Sequence, residues 1–383
     1  MGKIKEYKPN KIIIWEGLSN IAGGQKVVLS IVSQLNNKYR FKVICPSKGV
    51  LSLQFKRLGV LCDFINIGDY TLGKKGIRDI LRFVYFTPFV LWRAYKIVRG
   101  SDLIYVNNTR VFIWSALIGL ILNTPVIWHL HNLLIDRKSR LFIELFGRLK
   151  IVTQIIAVSN AAKNQFPALA HKVDVIYNGI DIQKFNIVNK EYQKNHIFKN
   201  IGIISDVIPQ KGHKTLIKAA YILKNNIPFK LLIIGKPRYN TIPYETELKN
   251  LVNELKLDDN IEFLGYRNNI PEILNELDLL VVPSLSFEAC PMVILEAYAC
   301  GVPVVGSDLG GTPELIEEGK TGFIFKANDE LDLAKKILFI LNDPKLHVKM
   351  RKRCREIAKK KYNIELFSKK IELILDEILE KSI

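Results

Sequence analysis

The feature that most constrains the fold of this chain is a repeated alternation of short apolar runs with amphipathic segments. It occurs in two sets: the first extends from the apolar run at residues 11–15 to residues 172–180, and the second begins at Asn200. Strands that alternate with helices predict parallel sheets with helices on both faces. We therefore expect an α/β fold with two doubly wound halves, in which ligands bind at the carboxyl ends of the strands.

A polar stretch without clear periodicity, residues 186–200, separates the two sets and predicts a linker. A chain of 383 residues is long enough for two domains of ordinary size. The expected first domain covers residues 1–185, and the expected second domain covers residues 186–363. The remaining segment, residues 364–383, is amphipathic and predicts a terminal helix.

Charge and cysteine content restrict the partners and the compartment. The formal net charge of +19 implies an anionic partner, which could be nucleic acid, acidic lipid or a phosphorylated substrate. Part of this charge is compositional, since Lys is abundant throughout the chain. The five cysteines form no Cys-x-x-Cys pair, so the sequence predicts neither a disulfide framework nor a zinc site. Together with the lack of a signal-peptide pattern at residues 1–15, this predicts a cytoplasmic protein.

The longest apolar run is Val111 to Leu122, which is shorter than the ~18 residues of a membrane-spanning helix. It predicts a buried helix instead.

The most informative stretch is VVPSLSFEACPMVILEAYACG, residues 281–301. Its apolar start predicts a buried strand, and a helix is predicted to open at Pro291, because proline suits the first helical position. Glu288 lies in the loop and Glu296 lies within the helix, with seven residues between them. The N–H groups of Met292 and Val293 follow the proline and form an anion or hydroxyl site. Two carboxylates beside such a helix start suit a ligand with both phosphates and sugar hydroxyls.

This stretch resembles the Glu–seven–Glu signature of the retaining enzymes of glycosyltransferase family 4. The resemblance continues through GVPVVGSDLGGTPELIEEGKTGFIF, residues 301–325, and reaches back along nearly the whole chain. It implies the GT-B fold, in which two Rossmann-like domains face each other across a cleft, the first on the acceptor side and the second binding a nucleotide sugar. It also implies that residues 364–383 pack back on the first domain.

The resemblance assigns roles to both carboxylates and to the first domain's strand ends. It implies that Glu288 contacts hydroxyls of the transferred sugar and that Glu296 contacts the ribose. His131, near the end of a strand, matches the family position that contacts the transferred sugar, whereas we expect a structural role for His129. Gly23 and Gly24 follow the first strand; they are either a tight turn or a close approach to the donor phosphates.

The second half carries the candidate phosphate ligands. Lys211 follows its first strand, where an ammonium group would stabilise a leaving diphosphate. Arg267 is either a base or phosphate ligand or a solvated loop residue. Asp206 departs from the family pattern, which usually has Arg there. Either Asp206 points away and Arg238 or Arg267 substitutes, or donor use is altered, or activity is lost.

The predicted site has two sets of residues. The catalytic candidates are His131, Lys211 and Glu288. The donor-binding candidates are Gly23, Gly24, Lys211, Arg267, Glu288, Met292, Val293 and Glu296. Gly310 and Gly311 are predicted to form a second close-approach loop before a helix.

A basic and aromatic segment at residues 70–100 predicts either contact with an anionic membrane or a packed helix with basic ends. Its basic residues are Lys74, Lys75, Arg78, Arg82, Arg93, Lys96 and Arg99, against Asp79 as its one acidic residue. Residues 137–150 have the same character.

We therefore predict a retaining hexosyltransferase that moves a sugar from a nucleotide-diphosphate donor to a glycan or lipid-linked acceptor in cell-surface polysaccharide or glycolipid synthesis. No Asp-x-Asp loop indicates a metal, and we expect no cofactor. The expected location is the cytoplasm, with the inner face of the cell membrane as a possible contact.

Two alternatives stay open. The first is a catalytically weak partner or binding subunit, suggested by Asp206. The second is a nucleic-acid-binding protein, which only the net charge suggests, since no nucleic-acid-binding motif is present.

Overall fold

The computed structural model describes residues 9–68, 76–187, 198–238, 241–286 and 288–381. The chain divides into two compact units, the first formed by residues 1–178 together with 365–383 and the second by residues 179–364. Most of the predicted linker, residues 188–197, lies outside the described residues.

The first unit is built on a parallel sheet. Its strands are β1 (Lys11–Trp15), β2 (Arg40–Cys45), β3 (Leu61–Phe64), β4 (Leu103–Val106), β5 (Val126–Leu130), β6 (Val152–Ala157) and β7 (Val173–Val175), in the spatial order β3-β2-β1-β4-β5-β6-β7. Its helices are α1 (Gly23–Leu35), α2 (Val50–Arg57), α3 (Ile77–Val98), α4 (Phe112–Leu122), α5 (Arg137–Gly147) and α6 (Asn160–Lys163).

The second unit repeats this plan. Its strands are β8 (Lys199–Ile204), β9 (Phe229–Ile234), β10 (Ile261–Gly265), β11 (Leu279–Val282), β12 (Val304–Ser307) and β13 (Gly322–Phe325), in the parallel order β10-β9-β8-β11-β12-β13. Its helices are α7 (His213–Leu223), α8 (Ile242–Glu254), α9 (Ile270–Glu276), α10 (Met292–Ala299), α11 (Thr312–Leu315), α12 (Glu330–Leu341) and α13 (Pro344–Lys361). The last helix, α14 (Ile364–Lys381), follows.

The central strands are apolar on both faces because helices cover both faces of each sheet. Ile12, Ile13 and Ile14 of β1 are all fully buried, and so are the four residues of β11 apart from a slightly exposed Val282. This explains why the strands appear in the sequence as unbroken apolar runs rather than as alternating patterns.

The strand order reverses once in each sheet, between β1 and β4 in the first unit and between β8 and β11 in the second. In open parallel sheets such a reversal leaves a crevice at the carboxyl ends of the two strands, and ligands bind there. The residues that follow β1, β4, β8 and β11 are therefore the places to look for a functional site.

Helix α14 packs on the first unit. Lys38 Nζ lies 2.7 Å from Glu372 Oε1 and 2.6 Å from Asp376 Oδ2, and the Tyr39 hydroxyl donates to Asp376 Oδ1 at 2.6 Å.

The two units meet in sequence at residue 178, seven residues before the boundary expected from the sequence. Residues after Gly179 bond within the second unit, since Ile180 N donates to Tyr362 O at 2.7 Å. Arg355 likewise donates to the carbonyl groups of Phe185 at 2.9 Å and Ile182 at 3.2 Å.

Helix α4 begins one residue after the predicted start of the apolar run. Its inner face is buried, whereas Leu120 and Ile121 are about half exposed. Within the described part of the chain, no helix combines the length and apolar character needed to cross a bilayer.

Candidate functional site

In the second unit, the loops that follow β8 and β11 lie against each other. Gly212 has a φ of +74°, and a Cβ added there would lie 1.8 Å from the carbonyl oxygen of Pro283. Leu285 N donates to the Gln210 carbonyl at 2.8 Å. This contact requires glycine for both the left-handed backbone and the space, and it sets Lys211 beside the loop that carries Glu288.

Lys211 and Glu288, two of the three catalytic candidates, form an ion pair. Lys211 Nζ lies 2.8 Å from Glu288 Oε2, and both side chains are partly buried. The Ser284 hydroxyl donates a short hydrogen bond to Glu288 Oε1. The structure therefore brings the predicted cation and carboxylate together at the reversal point of the sheet.

The backbone of Glu288 is held by Gly310 and Gly311. Gly311 N donates to the Glu288 carbonyl at 2.7 Å. A Cβ on Gly310, whose φ is +63°, would lie 2.4 Å from that same oxygen. The close-approach loop predicted here thus approaches the backbone of Glu288, and it stabilises the position of that residue.

Helix α10 supplies the N–H groups. It begins at Met292, one residue later than predicted, because Pro291 has an extended ψ of 109° and forms the N-cap. Met292 and Val293 are the first two helical residues, and N–H groups in the first turn have no acceptor within the helix. Glu296 lies one turn further along and is 5% exposed.

The carboxylate of Asp206, where the family usually has Arg, is paired with Arg238. Arg238 Nε donates to Asp206 Oδ2 at 2.9 Å, and a terminal guanidinium nitrogen lies 2.7 Å from the same oxygen. Both side chains are about half exposed. A guanidinium group is therefore present next to this position, although a different residue supplies it.

Arg267 is exposed and follows the edge strand β10. Three strand spacings separate β10 from β11, which corresponds to about 14 Å. Arg267 therefore follows a strand that is adjacent to neither β8 nor β11, the strands that precede Lys211 and Glu288.

In the first unit, the reversal point carries a buried polar cluster that the sequence did not indicate. Glu16 directly follows β1 and Asn107 directly follows β4, and both are 1% exposed or less. Asn107 Nδ2 donates to Glu16 Oε1 at 2.5 Å and to the Gly24 carbonyl at 3.0 Å. Gln25 Nε2 donates to Glu16 Oε2 at 3.1 Å. The available signal was a polar residue directly after each of two apolar strands.

This cluster orients His131, the third catalytic candidate. His131 Nε2 lies 2.8 Å from Asn107 Oδ1. Because Asn107 uses its amide nitrogen as the donor to Glu16 and Gly24, its oxygen must accept, so His131 Nε2 carries the proton. Burial lowers the pKa of His131 to about 3, and the ring is therefore neutral near pH 7 with Nδ1 as an acceptor.

Burial also raises the pKa of Glu16 to about 7, although the hydrogen bonds from Gln25 and Asn107 act in the opposite direction. The Glu16 carboxyl group therefore titrates near neutral pH. Asn107 connects it to His131 through two hydrogen bonds.

Gly23 and Gly24 are the first two residues of α1 and not part of the preceding loop. A Cβ on Gly24 would lie 3.2 Å from Cγ of His131. Glycine at this position therefore allows the start of α1 to lie directly against the imidazole ring.

His129 has the features of a structural residue. It is fully buried, and its Nδ1 lies 2.7 Å from the Tyr105 hydroxyl. Its ring centroid lies 3.9 Å from that of His131, and burial holds its pKa well below the usual range. The neutral imidazole of His129 therefore packs against the His131 ring and supports its position.

Family models match both halves of the chain. The model described as "Glycosyl transferases group 1" matches residues 185–377, about half of the chain, and the model for Glycosyltransferase Family 4 matches residues 21–184. The chain belongs to glycosyltransferase family 4. The resemblance inferred from residues 281–325 is confirmed.

Two curated relatives show how far the similarity extends. The family 4 chain is 26% identical to the UDP-Gal:alpha-D-GlcNAc-diphosphoundecaprenol alpha-1,3-galactosyltransferase of Escherichia coli, over 94% of this chain and 95% of that protein. It is 30% identical to the N-acetyl-alpha-D-glucosaminyl L-malate synthase of Bacillus anthracis, over 59% of this chain and 60% of that one. The second alignment thus covers less than two thirds of the relative's length.

The fold is shared with a crystal structure of Anabaena Alr3699/HepE in complex with UDP. The TM-score is 0.83 at 22% identity, with 96% of this chain and 100% of the other covered. This likeness confirms the GT-B fold for the family 4 glycosyltransferase. Among the residues that the structure describes, no group of three or more His, Cys, Asp or Glu side chains could hold a metal ion.

Proposed function

We propose that this family 4 glycosyltransferase transfers a hexose from a uridine diphosphate sugar to an acceptor carried on a lipid diphosphate, with retention of the anomeric configuration. The observation that carries the proposal is the Lys211–Glu288 ion pair beside the first turn of α10. A cation, a carboxylate and N–H donors converge at that reversal point. A nucleotide sugar presents the complementary phosphates and hydroxyls.

The leaving diphosphate is the group that needs stabilisation. Negative charge grows on it as its bond to the sugar breaks, and a preorganised cation lowers the energy of that state. Lys211 can exchange Glu288 for the diphosphate, since both side chains are only partly buried. The N–H groups of Met292 and Val293 add the positive end of the α10 dipole.

The same exchange releases Glu288 to accept hydrogen bonds from hydroxyl groups of the transferred sugar. Glu296 is the proposed ligand of the two ribose hydroxyls, because a carboxylate can accept from vicinal hydroxyls. His131 offers Nδ1 as an acceptor for a sugar hydroxyl, consistent with its proposed contact to the transferred sugar. No metal ion is needed in this scheme, because Lys211 and α10 supply the positive charge.

The acceptor class is supported by relatives. The Escherichia coli relative is named for a GlcNAc-diphosphoundecaprenol acceptor. A Campylobacter jejuni relative, 29% identical over 55% of this chain, is named for a diphospho-undecaprenol acceptor. We propose that the present chain acts on such a lipid-linked acceptor in cell-surface polysaccharide synthesis.

A lipid-linked acceptor places the enzyme at the cytoplasmic face of the membrane. Helix α3 supports this location, because its apolar residues Ile77, Leu81 and Tyr85 are more than 60% exposed beside Arg78 and Arg82. Exposed apolar and basic side chains on one helix are typical of a helix that lies on an anionic bilayer.

A second candidate function is nucleotide-sugar binding without efficient transfer. The Asp206–Arg238 pair favours it, because the positive charge of Arg238 is offset by a carboxylate at a position where the family usually has Arg. Turnover separates the two functions, whereas donor binding does not.

The test begins with donor binding. UDP should raise the melting temperature more than ADP or GDP, because a ligand that binds only the folded state stabilises it. Purified enzyme should then convert a UDP-hexose and a sugar-diphosphate lipid to product in the presence of EDTA. The anomeric coupling constant of the product, measured by NMR, should match that of the donor. UDP binding without turnover would favour the second candidate, and an inverted anomer would contradict retention.

A further inference from the structure

The first unit contains a pocket that none of the assigned roles uses. It has a volume of about 400 Å³ and lies between α3, α4 and α5. Pockets of about 300–1,000 Å³ with mostly apolar walls are typical small-molecule sites. Its walls are formed chiefly by apolar side chains, including Phe83, Val84, Ile113, Trp114, Phe142 and Phe146.

Two wall residues are held by ring stacking and by a hydrogen bond. Phe83 and Trp114 stack with ring centroids 4.7 Å apart. Trp114 Nε1 donates to Thr87 Oγ1 at 2.9 Å, so its polar atom is already paired. The interior therefore offers apolar surface to an occupant, and a hydrocarbon chain suits it better than a polar molecule.

The rim of the pocket is charged, in contrast to its apolar walls. Arg82, Arg110 and Lys138 line the pocket together with Asp79 and Asp136. The two carboxylates are engaged at helix starts, since Asp79 accepts from Gly76 N at 2.8 Å and Asp136 accepts from Ser139 N at 2.7 Å. Three cations and two carboxylates give the rim a formal charge of +1, which favours an anionic group on an apolar chain.

One rim residue of the pocket contacts the chain directly next to the His131 cluster. Arg110, on the rim, donates to the Gly17 carbonyl at 3.3 Å, and Gly17 directly follows Glu16. Leu134, another wall residue, lies three residues after His131. The rim thus lies on a side of the pocket that touches the chain next to this cluster, which suits an acceptor with its sugar at the cluster, its phosphates at the rim and its chain in the pocket.

We propose that this pocket binds the phosphate-proximal part of the polyisoprenyl chain of the acceptor, with Arg82, Arg110 and Lys138 at its diphosphate. The inference rests on the proposed function, because it assigns a place to the lipid of that acceptor. It adds a chain-length requirement, since an acceptor too short to fill the pocket loses the apolar contacts.

The test uses Val84→Trp, which fills the pocket from its outer wall. Val84 is 62% exposed, so the larger ring enters from the surface without replacing core atoms. The matched control is Ile121→Trp, because Ile121 is 58% exposed and lies on α4 outside the pocket. Each enzyme is assayed in detergent with a long polyisoprenyl acceptor and with a short-chain analogue of the same sugar diphosphate.

The expected result is a fall of about tenfold or more in the ratio of kcat/KM for the long acceptor to that for the short one, in Val84→Trp and not in Ile121→Trp. An unchanged ratio in folded Val84→Trp would overturn the proposal. Folding of both variants is checked by their circular dichroism spectra and by their melting temperatures without ligand.

A binding measurement separates this proposal from the proposed function. A polyisoprenyl diphosphate with a photoreactive group near its phosphates is cross-linked to the wild-type chain without donor, and the labelled peptides are identified by mass spectrometry. Labels on α3, α4 or α5 support the pocket even if no transfer is detected or Val84→Trp fails to fold. Labels confined to other elements overturn it even if transfer is efficient.

Discussion

At the scale of single residues, the two clusters differ in how their charges are compensated. Lys211 and Glu288 neutralise each other while partly exposed, so their attraction is screened by solvent and the pair can open at modest cost. Glu16 is fully buried and meets two amide donors instead of a cation. Burial therefore dominates the pKa of Glu16. The Lys211–Glu288 pair, in contrast, can exchange partners with a ligand.

Glu288→Gln is expected to suppress transfer while leaving the affinity for UDP nearly intact. The amide keeps the size of the side chain but removes the charge that holds sugar hydroxyls, and UDP lacks the sugar. Loss of one positioned polar group typically lowers kcat by roughly 10²-fold. Steady-state kinetics and calorimetry with UDP measure the two effects. Glu247→Gln, which breaks the exposed pair with Lys214, is the matched control and should retain activity. A large loss of UDP affinity in Glu288→Gln would contradict the assignment.

Glu16 makes stability depend on pH in a defined direction. Its pKa is raised from 4.5 to about 7 in the folded chain, so between these values the folded state binds more protons than the unfolded state. This contribution therefore favours folding below pH 4.5 and is lost as the pH rises through 7. Glu16→Gln removes the effect.

The free energy of unfolding of wild type minus that of Glu16→Gln should fall between pH 4.5 and 7, by up to about 3 kcal/mol. Urea denaturation at several pH values measures the difference. Taking the variant as reference cancels the opposite contribution of His131, whose depressed pKa makes folding less favourable as the pH falls from 6.5 towards 3. A pH-independent difference would show that Glu16 ionises normally.

At the scale of secondary-structure elements, glycines at loop contacts determine which strand ends meet. The turn before α7 can touch the loop after β11 only because Gly212 has no side chain, and the loop before α11 can reach Glu288 only because of Gly310. Each contact joins segments that are far apart in sequence. The positions of Lys211 and Glu288 thus depend on glycines, which have no functional side chain.

Gly212→Ala is expected to destabilise the second unit more than a comparable substitution elsewhere. The new Cβ would meet the Pro283 carbonyl, and the left-handed backbone adds strain of about 1–3 kcal/mol. Gly59→Ala is a close control, because Gly59 has a φ of +75° but open space around it. Thermal denaturation should show a larger loss for Gly212→Ala, accompanied by weaker UDP binding. Equal losses for the two variants would mean that the contact with Pro283 contributes nothing.

At the scale of the whole molecule, the net charge of +19 predicts attraction to anionic lipid. Replacing Lys74, Lys75, Arg78 and Arg82 by Gln should release the protein from anionic vesicles, because each basic residue contributes about 1 kcal/mol near such a surface. Lys74 and Lys75 lie outside the described residues, whereas Arg78 and Arg82 lie on α3. Vesicle sedimentation at low salt measures the binding.

The control for this experiment replaces four exposed lysines of α13 in the second unit, namely Lys352, Lys359, Lys360 and Lys361. This variant has the same net charge as the first and should stay bound. If both variants are released equally, net charge alone drives the attraction, and α3 has no special role.

The sequence by itself determined the features that depend on neighbouring residues. Apolar runs alternating with amphipathic segments determined the strands, the helices and the two doubly wound sheets, because burial of a local segment leaves a local pattern. The strand–loop–helix stretch from Leu279 to Ala299 could be predicted to within one residue for the same reason. Local pattern therefore placed Glu288, Glu296 and the first turn of α10 in one stretch, whereas their proposed roles came from the resemblance to family 4.

Only the tertiary structure decided which residues meet at the ends of neighbouring strands, because those contacts depend on the strand order. Glu16 and Asn107 are 91 residues apart and meet only because β1 and β4 are neighbours in the sheet. The same long-range pairing places Gly212 against Pro283, joins Asp206 to Arg238 and leaves Arg267 on an edge strand. Local periodicity carries no information about which strands become neighbours, since every apolar strand satisfies the same burial requirement. The partners of His131 and Lys211 could therefore be found only in the folded chain.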